Sequence, residues 1–238
     1  MSLNDEEQEK LYTNYWNPIE KFTEYDPSPF VRDYLTMKKG KIGRIDKIYF
    51  IFKEYAEDEK IGREHLLEEM HHFAKIYGQM IDASIGTERI NRKLRQLRTL
   101  DSTVAYPFFM AFFDYARKIQ MTEDEIYKVL NIIETYWARR IICTLPSNTL
   151  NKIFATLHRD ILSHINRAPT NHVPKYADVL TYVLQKRTQT ATFPSDEDVR
   201  RDFKTRQVYK MPANTRMFFL ERFENQDSKE CHDVVKEL

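Results

Sequence analysis

Apolar residues in this chain recur every three or four positions over long stretches, the spacing of one face of an α-helix. Leu66, Met70, Phe73, Tyr77 and Met80 form one stripe; Ile126, Val129, Leu130, Ile133, Trp137 and Ile141 form a second. Leu150, Ile153, Phe154, Leu157, Ile161 and Ile165 form a third, the most regular of the set. Tyr176, Val179, Leu180, Val183 and Leu184 follow, and a last helix is predicted around Met217 to Phe223. The polar punctuation agrees. Thr122 with Glu125, and Ser195 with Asp198, have the spacing of a capping box, and Ser147 is placed to cap the third stripe. Pro107, Pro146, Pro169, Pro174, Pro194 and Pro212 fall at predicted helix boundaries or first turns, where a missing N–H costs least.

The expected fold is therefore all-α: an irregular array of roughly ten helices with short links and no sheet beyond minor turns. No solenoid-length period repeats along it. The division expected is an N-terminal helical subdomain, 1–120, and a C-terminal one, 121–238, both parts of one continuous helical fragment.

Composition sharpens this picture. Five glycines occur in 238 residues, and none lies beyond Gly86. Rossmann, P-loop and β-sandwich folds need glycine where φ is positive or where backbone approaches phosphate, so they are excluded for most of the chain. The two cysteines, Cys143 and Cys231, belong to no CxxC pair, which argues against a disulfide framework or zinc finger and fits a reducing cytoplasm. The acidic start has no apolar signal region, and no apolar run reaches membrane-spanning length. With 37 basic and 36 acidic side chains, the whole molecule carries no nucleic-acid charge signature, although a local patch is compatible with that balance.

Candidate chemistry is sparse. The histidines are His65, His71, His72, His158, His164, His172 and His232. His71 and His72 are neighbours about 100° apart around a helix, and His158 and His164 are six apart, so neither pair suits one metal ion. His72 points away from the apolar stripe and is expected in solvent. No nucleophile elbow, metalloprotease motif or spaced Cys/His set occurs. The sequence shows no catalytic residue and no metal ligand, and no cofactor is expected in this fragment.

Charge is concentrated in one place. TERINRKLRQLRTL, residues 87–100, carries Arg89, Arg92, Lys93, Arg95 and Arg98 against Glu88. With Ile90, Leu94 and Leu97 facing inward, most of the basic residues fall on the outer face, where they could pair with phosphates. The competing reading is a solvated amphipathic helix, or one facing acidic neighbours such as the first thirty residues, with seven acids against two bases. Arg139 and Arg140 join the candidate DNA contacts; the competing reading has them lying along the apolar stripe or pairing with a buried carboxylate. In SDEDVRRDFKTR, 195–206, acids precede bases, an order the helix dipole explains without a function.

Five blocks carry a resemblance: LYTNYWNPIEKF (11–22), FVRDYLTMKKGKIGRIDKIYFIFKEY (30–55), ETYWARRIICTLPSNTLNKIFATLHRDI (134–161), FPSDEDVRRDF (193–203) and TRMFFLERFEN (215–225). Their order and content resemble the central helical region of GmrSD-type, modification-dependent restriction endonucleases. In that family the region lies between an N-terminal domain of unknown function, with a nucleotide-using core, and a C-terminal HNH-type nuclease domain. The family's D-G-Q-Q-R-type nucleotide motif is absent here, and the E-H-I-x-P-Q-like nuclease stretch is expected just after SKECHDVVKEL. The resemblance therefore implies a fragment lying between two active centres, with Met1-Ser2-Leu3 expected to be an expression scar. It implies no catalytic residue. It does match family-typical positions at Tyr15-Trp16, Arg139-Arg140, Phe193 to Asp196 and Leu220 to Arg222. The implied role is a cytoplasmic, non-catalytic scaffold of a nuclease acting on modified foreign DNA. Its partners are the flanking domains, with DNA contact open; nucleoside triphosphate and divalent metal belong to the parent protein, and no membrane is involved. The alternative is a freestanding helical protein- or DNA-binding module unrelated to restriction.

Overall fold

The computed structural model describes residues 5–58, 62–169 and 173–225, and every regular element among them is helical. The Met1 to Leu3 start, His172, Cys231, His232 and the SKECHDVVKEL stretch lie outside the described residues. Helix α1 (Asp5–Leu11) passes through a π turn at Tyr12–Trp16 into α2 (Asn17–Phe22). Then come α3 (Pro27–Lys39), α4 (Ile48–Asp58), α5 (Arg63–Ile81), α6 (Glu88–Thr99) and α7 (Tyr106–Lys118). The second half holds α8 (Glu123–Ile142), α9 (Asn148–Arg167), α10 (Tyr176–Gln185), α11 (Asp196–Phe203) and α12 (Ala213–Glu224).

The stripes read from the sequence face inward. All five positions of the Leu66 stripe and all five of the Tyr176 stripe are buried, as are Leu150 to Ile161 of the third. Both capping boxes form: Thr122 with Glu125 opens α8, and Ser195 with Asp198 opens α11. Ser147 occupies the N-cap position of α9, but its backbone is already helical and its side chain accepts no capping bond. That geometry leaves the hydroxyl badly placed for the N2 or N3 amide.

Helix α7 is the hub. Its run of phenylalanines is buried on more than one face, as a helix packed on several sides requires. Helices α3, α5 and α9 pack around it, α10 covers α9 and α8, and α2 lies along α5. Phe112 stacks against Phe108 at 6.0 Å and meets Tyr176 at 5.3 Å, and Trp137 stacks on Phe154 at 5.4 Å. Each fully buried phenylalanine contributes about 1.5–3 kcal/mol relative to exposure. The apolar core runs without a break from Ile19 to Phe219 and crosses position 120.

Scarce glycine shapes the helix ends. Glu24, Ala83, Gln120 and Thr144 take left-handed backbone, with φ between 48° and 56°, just after α2, α5, α7 and α8. In each case the next residue's N–H reaches back to close the last turn, as Leu145 does to the Arg140 carbonyl at 2.9 Å. These are Schellman closures built without the usual glycine.

Candidate functional site

Helix α6 turns Ile90, Leu94 and Leu97 into the core, as its spacing predicts, and it packs against α8 and α12. One turn along the same inward side lies Lys93, which is 2% exposed. Its Nζ sits 2.6 Å from Glu134 Oε2 and donates to Asn131 Oδ1 at 3.2 Å. Glu134 also pairs with Arg222 of α12, whose Nη2 donates to Gln96 Oε1 at 3.1 Å. Gln96 in turn donates to Glu221 Oε1 at 3.2 Å, an oxygen that lies 3.9 Å from Arg92 Nη2. Two buried acids, two arginines, a lysine and two amides thus join α6, α8 and α12 in one polar network.

The other basic residues of α6 are engaged as well. Arg89 stacks on Tyr127 at 4.0 Å, donates to Asp124 at 2.5 Å and lies 3.7 Å from Glu123. Arg95 bonds Glu88 of its own helix, and Arg98 donates to the carbonyl of Ile81. The acidic neighbours of α6 are therefore on α8 and α12 rather than in the first thirty residues. The long-range partners of Lys93, 38 and 41 residues away in sequence, explain why spacing along one helix did not reveal them.

Arg139 and Arg140 hold a loop, with no buried carboxylate between them. Arg139 donates to the Pro194 carbonyl at 2.9 Å and to Asp196 at 2.5 Å. Arg140, 2% exposed, donates to the carbonyls of Pro146 at 2.8 Å and Thr192 at 3.2 Å. Burial lowers its pKa from the ordinary guanidinium value, and carbonyl dipoles replace the lost water. Both side chains pin the Phe193 to Asp196 turn against α8. As the fold stands, Lys93 and Arg140 offer no surface to a phosphate.

The titratable groups elsewhere serve packing. His72 is half-exposed as expected, but its Nε2 bonds Asp114 Oδ1 at 2.8 Å. His158 Nδ1 pairs with Tyr176 Oη at 2.8 Å, and burial lowers its pKa to about 4. Burial, helped by Asp202, pushes the Cys143 thiol up to about 11, so it is protonated at neutral pH and a poor nucleophile. Among the described residues no group of three His, Cys, Asp or Glu side chains could hold a metal ion.

Two surface features lie beyond the α6 and Arg139–Arg140 candidates, the second of them overlapping the 195–206 segment. A cleft of about 670 Å³ lies between α1, α4 and α5, with Tyr12, Trp16, Tyr49 and Phe52 among its walls. The second is the stretch 200–216, with six basic residues against Asp202. Arg200, Lys204 and Lys210 are exposed there, and Tyr209 is 79% exposed. Comparison with family models, curated proteins and solved structures finds no match.

Proposed function

We propose that this chain is a non-catalytic helical scaffold of a GmrSD-like, modification-dependent restriction nuclease. On this reading it holds a nucleotide-using domain and an HNH nuclease domain in register in the cytoplasm, so that modified foreign DNA is cut only in the assembled protein. Nucleoside triphosphate and metal chemistry belong to those flanking domains. The affiliation rests on the five sequence blocks. The observation that favours a scaffold over DNA contact through α6 is the Lys93–Glu134–Arg222 network, which spends the basic residues of α6 on tying helices together.

The native reading frame tests the affiliation. A nucleotide-using domain encoded upstream and an HNH domain downstream are expected, and a frame with neither overturns it. Charge reversal tests the role of α6: Arg92→Glu with Arg95→Glu leaves duplex DNA affinity of the parent unchanged. A loss of affinity in a variant whose melting curve is unchanged transfers the reading to direct contact through α6. The aromatic cleft at Tyr12 and Trp16 favours the second reading, a freestanding binding module, because apolar walls open to solvent are the usual form of a recognition surface.

A further inference from the structure

Between the end of α8 and the start of α12 lies an open cavity of about 570 Å³, lined by Thr144, Asp202, Arg206, Gln207 and Lys210 among others. Its electrostatics differ from those of α6. Three of the four acids in the preceding segment are engaged: Asp196 pairs with Arg139, while Asp198 and Asp202 share Arg201, Asp202 accepting from its Nε at 2.8 Å and Asp198 also accepting from the Ser195 cap. Among the described residues neither Arg206 nor Lys210 has an acidic partner. The cavity lining thus carries two cations, Arg206 and Lys210, against one carboxylate, Asp202, which is itself paired with Arg201.

The hydrogen-bond inventory points the same way. Arg206 uses one donor, Nη1 to Thr144 Oγ1 at 3.2 Å, and its Nε is buried with no partner. Thr144 Oγ1 accepts that bond, so its own proton remains free to donate. Thr144 reaches this position only in left-handed backbone, φ 56°, which is unfavourable for a β-branched residue. The α12 helix that leaves the cavity at Pro212 has no acidic side chain in its first turn and no side-chain cap.

We propose that this cavity binds a phosphate group, with Arg206 and Lys210 as its charged ligands and the Thr144 hydroxyl as a further donor. Two cations and a hydroxyl approaching from different chain segments suit a tetrahedral anion with several acceptor oxygens. The phosphate comes either free in solution or from a nucleic-acid backbone. The exposed Arg200, Lys204 and Tyr209 beside the cavity extend the same charge along the surface, as a backbone would require.

The full chain is titrated with inorganic phosphate, against chloride at matched ionic strength, while backbone amide resonances are followed by NMR. A short DNA duplex is titrated separately across a salt series. Saturable shifts confined to 202–213 under phosphate, and absent under chloride, are expected. Arg206→Gln weakens binding about tenfold, and Arg206→Gln with Lys210→Gln abolishes it. Thr144→Gly weakens it without lowering the melting temperature, while Arg92→Gln on α6 changes nothing. Duplex binding that loses about one unit of salt slope in Lys210→Gln identifies backbone phosphate as the source. Phosphate binding without duplex binding identifies the free anion. Absence of both, or binding that survives the double substitution in a chain with an unchanged melting curve, overturns the proposal.

Discussion

Lys93 carries a formal charge, sits on the most basic helix of the chain, and is 2% exposed. A buried ammonium is tolerable here because Glu134 faces it at 2.6 Å and Asn131 and Tyr127 take up the rest of its coordination. Breaking a buried pair outright costs about 3–5 kcal/mol; Lys93→Met leaves Glu134 its second partner, Arg222, so the loss should fall below that range. Lys93→Met with Glu134→Leu should recover most of that loss, and urea unfolding of the single and double variants checks both values. A double variant as unstable as the single one would mean that Arg222 is the partner that matters for Glu134. Thr144 is the opposite case, an exposed-end residue held in an unfavourable conformation. Left-handed backbone costs a non-glycine residue roughly 1–2 kcal/mol. Thr144→Gly should therefore stabilise by about 1 kcal/mol, read as a rise in melting temperature, because glycine's own entropy cost takes back part of the gain.

At the scale of elements, the close approach of α2 and α5 depends on one missing side chain. A Cβ on Gly78 would stand 2.7 Å from the Phe22 carbonyl oxygen, a backbone atom that cannot swing aside. Gly78→Ala should lower stability despite alanine's better helix propensity, by about 1–3 kcal/mol if the helices shift to relieve the overlap. Thermal melting with circular dichroism measures it, and an unchanged melting temperature would mean the pair separates freely. Helices and their starts were legible in the sequence wherever the signal was local. The Leu150 stripe needs only its own spacing, and the Ser195 and Asp198 pair closes its capping box over three residues. What the sequence hid were pairings across long separations. The α6 basic face reads as free until α8 and α12 bring Glu134 and Glu221 to it from tens of residues away. The converse holds for 195–206, where the acids-then-bases order is explained by the helix dipole alone. Folding engages Asp196, Asp198 and Asp202 with Arg139, Ser195 and Arg201, and Arg206 and Lys210 are left without an acidic partner among the described residues.

For the whole molecule, two buried groups on different helices set opposing pH dependences. Asp33 of α3 receives hydrogen bonds from Arg32, yet burial outweighs them and lifts its pKa from 3.8 to about 6. Between those values the folded protein keeps a proton that the unfolded chain has released, so stability falls as pH rises through that window. His158 of α9 behaves in the opposite sense. Burial against Tyr176 lowers its pKa from 6.5 to about 4, and in that range the unfolded chain holds the extra proton. Its contribution is present above pH 6.5 and is lost as pH falls toward 4. Each shift is worth on the order of 3 kcal/mol across its window, and the windows overlap, so the two slopes largely cancel. In the wild-type chain these two slopes oppose each other between about pH 4 and 6 and leave the profile to the carboxyls of Glu69, Asp114, Asp198 and Asp202, which are held below their ordinary range and favour the fold as pH rises. Asp33→Asn should make stability rise more steeply with pH, because His158 is then unopposed, and His158→Gln should flatten or reverse that rise, because Asp33 is then unopposed. Urea midpoints measured across that range for the three proteins decide the matter, since parallel profiles would mean that neither group titrates with the fold. The cancellation joins a residue beside the N-terminal helices to one in the second half of the chain through nothing but a shared equilibrium. Such cancellation requires both groups to be released in one transition, and the buried apolar cluster that reaches from Ile19 to Phe219 is the structure that would couple them.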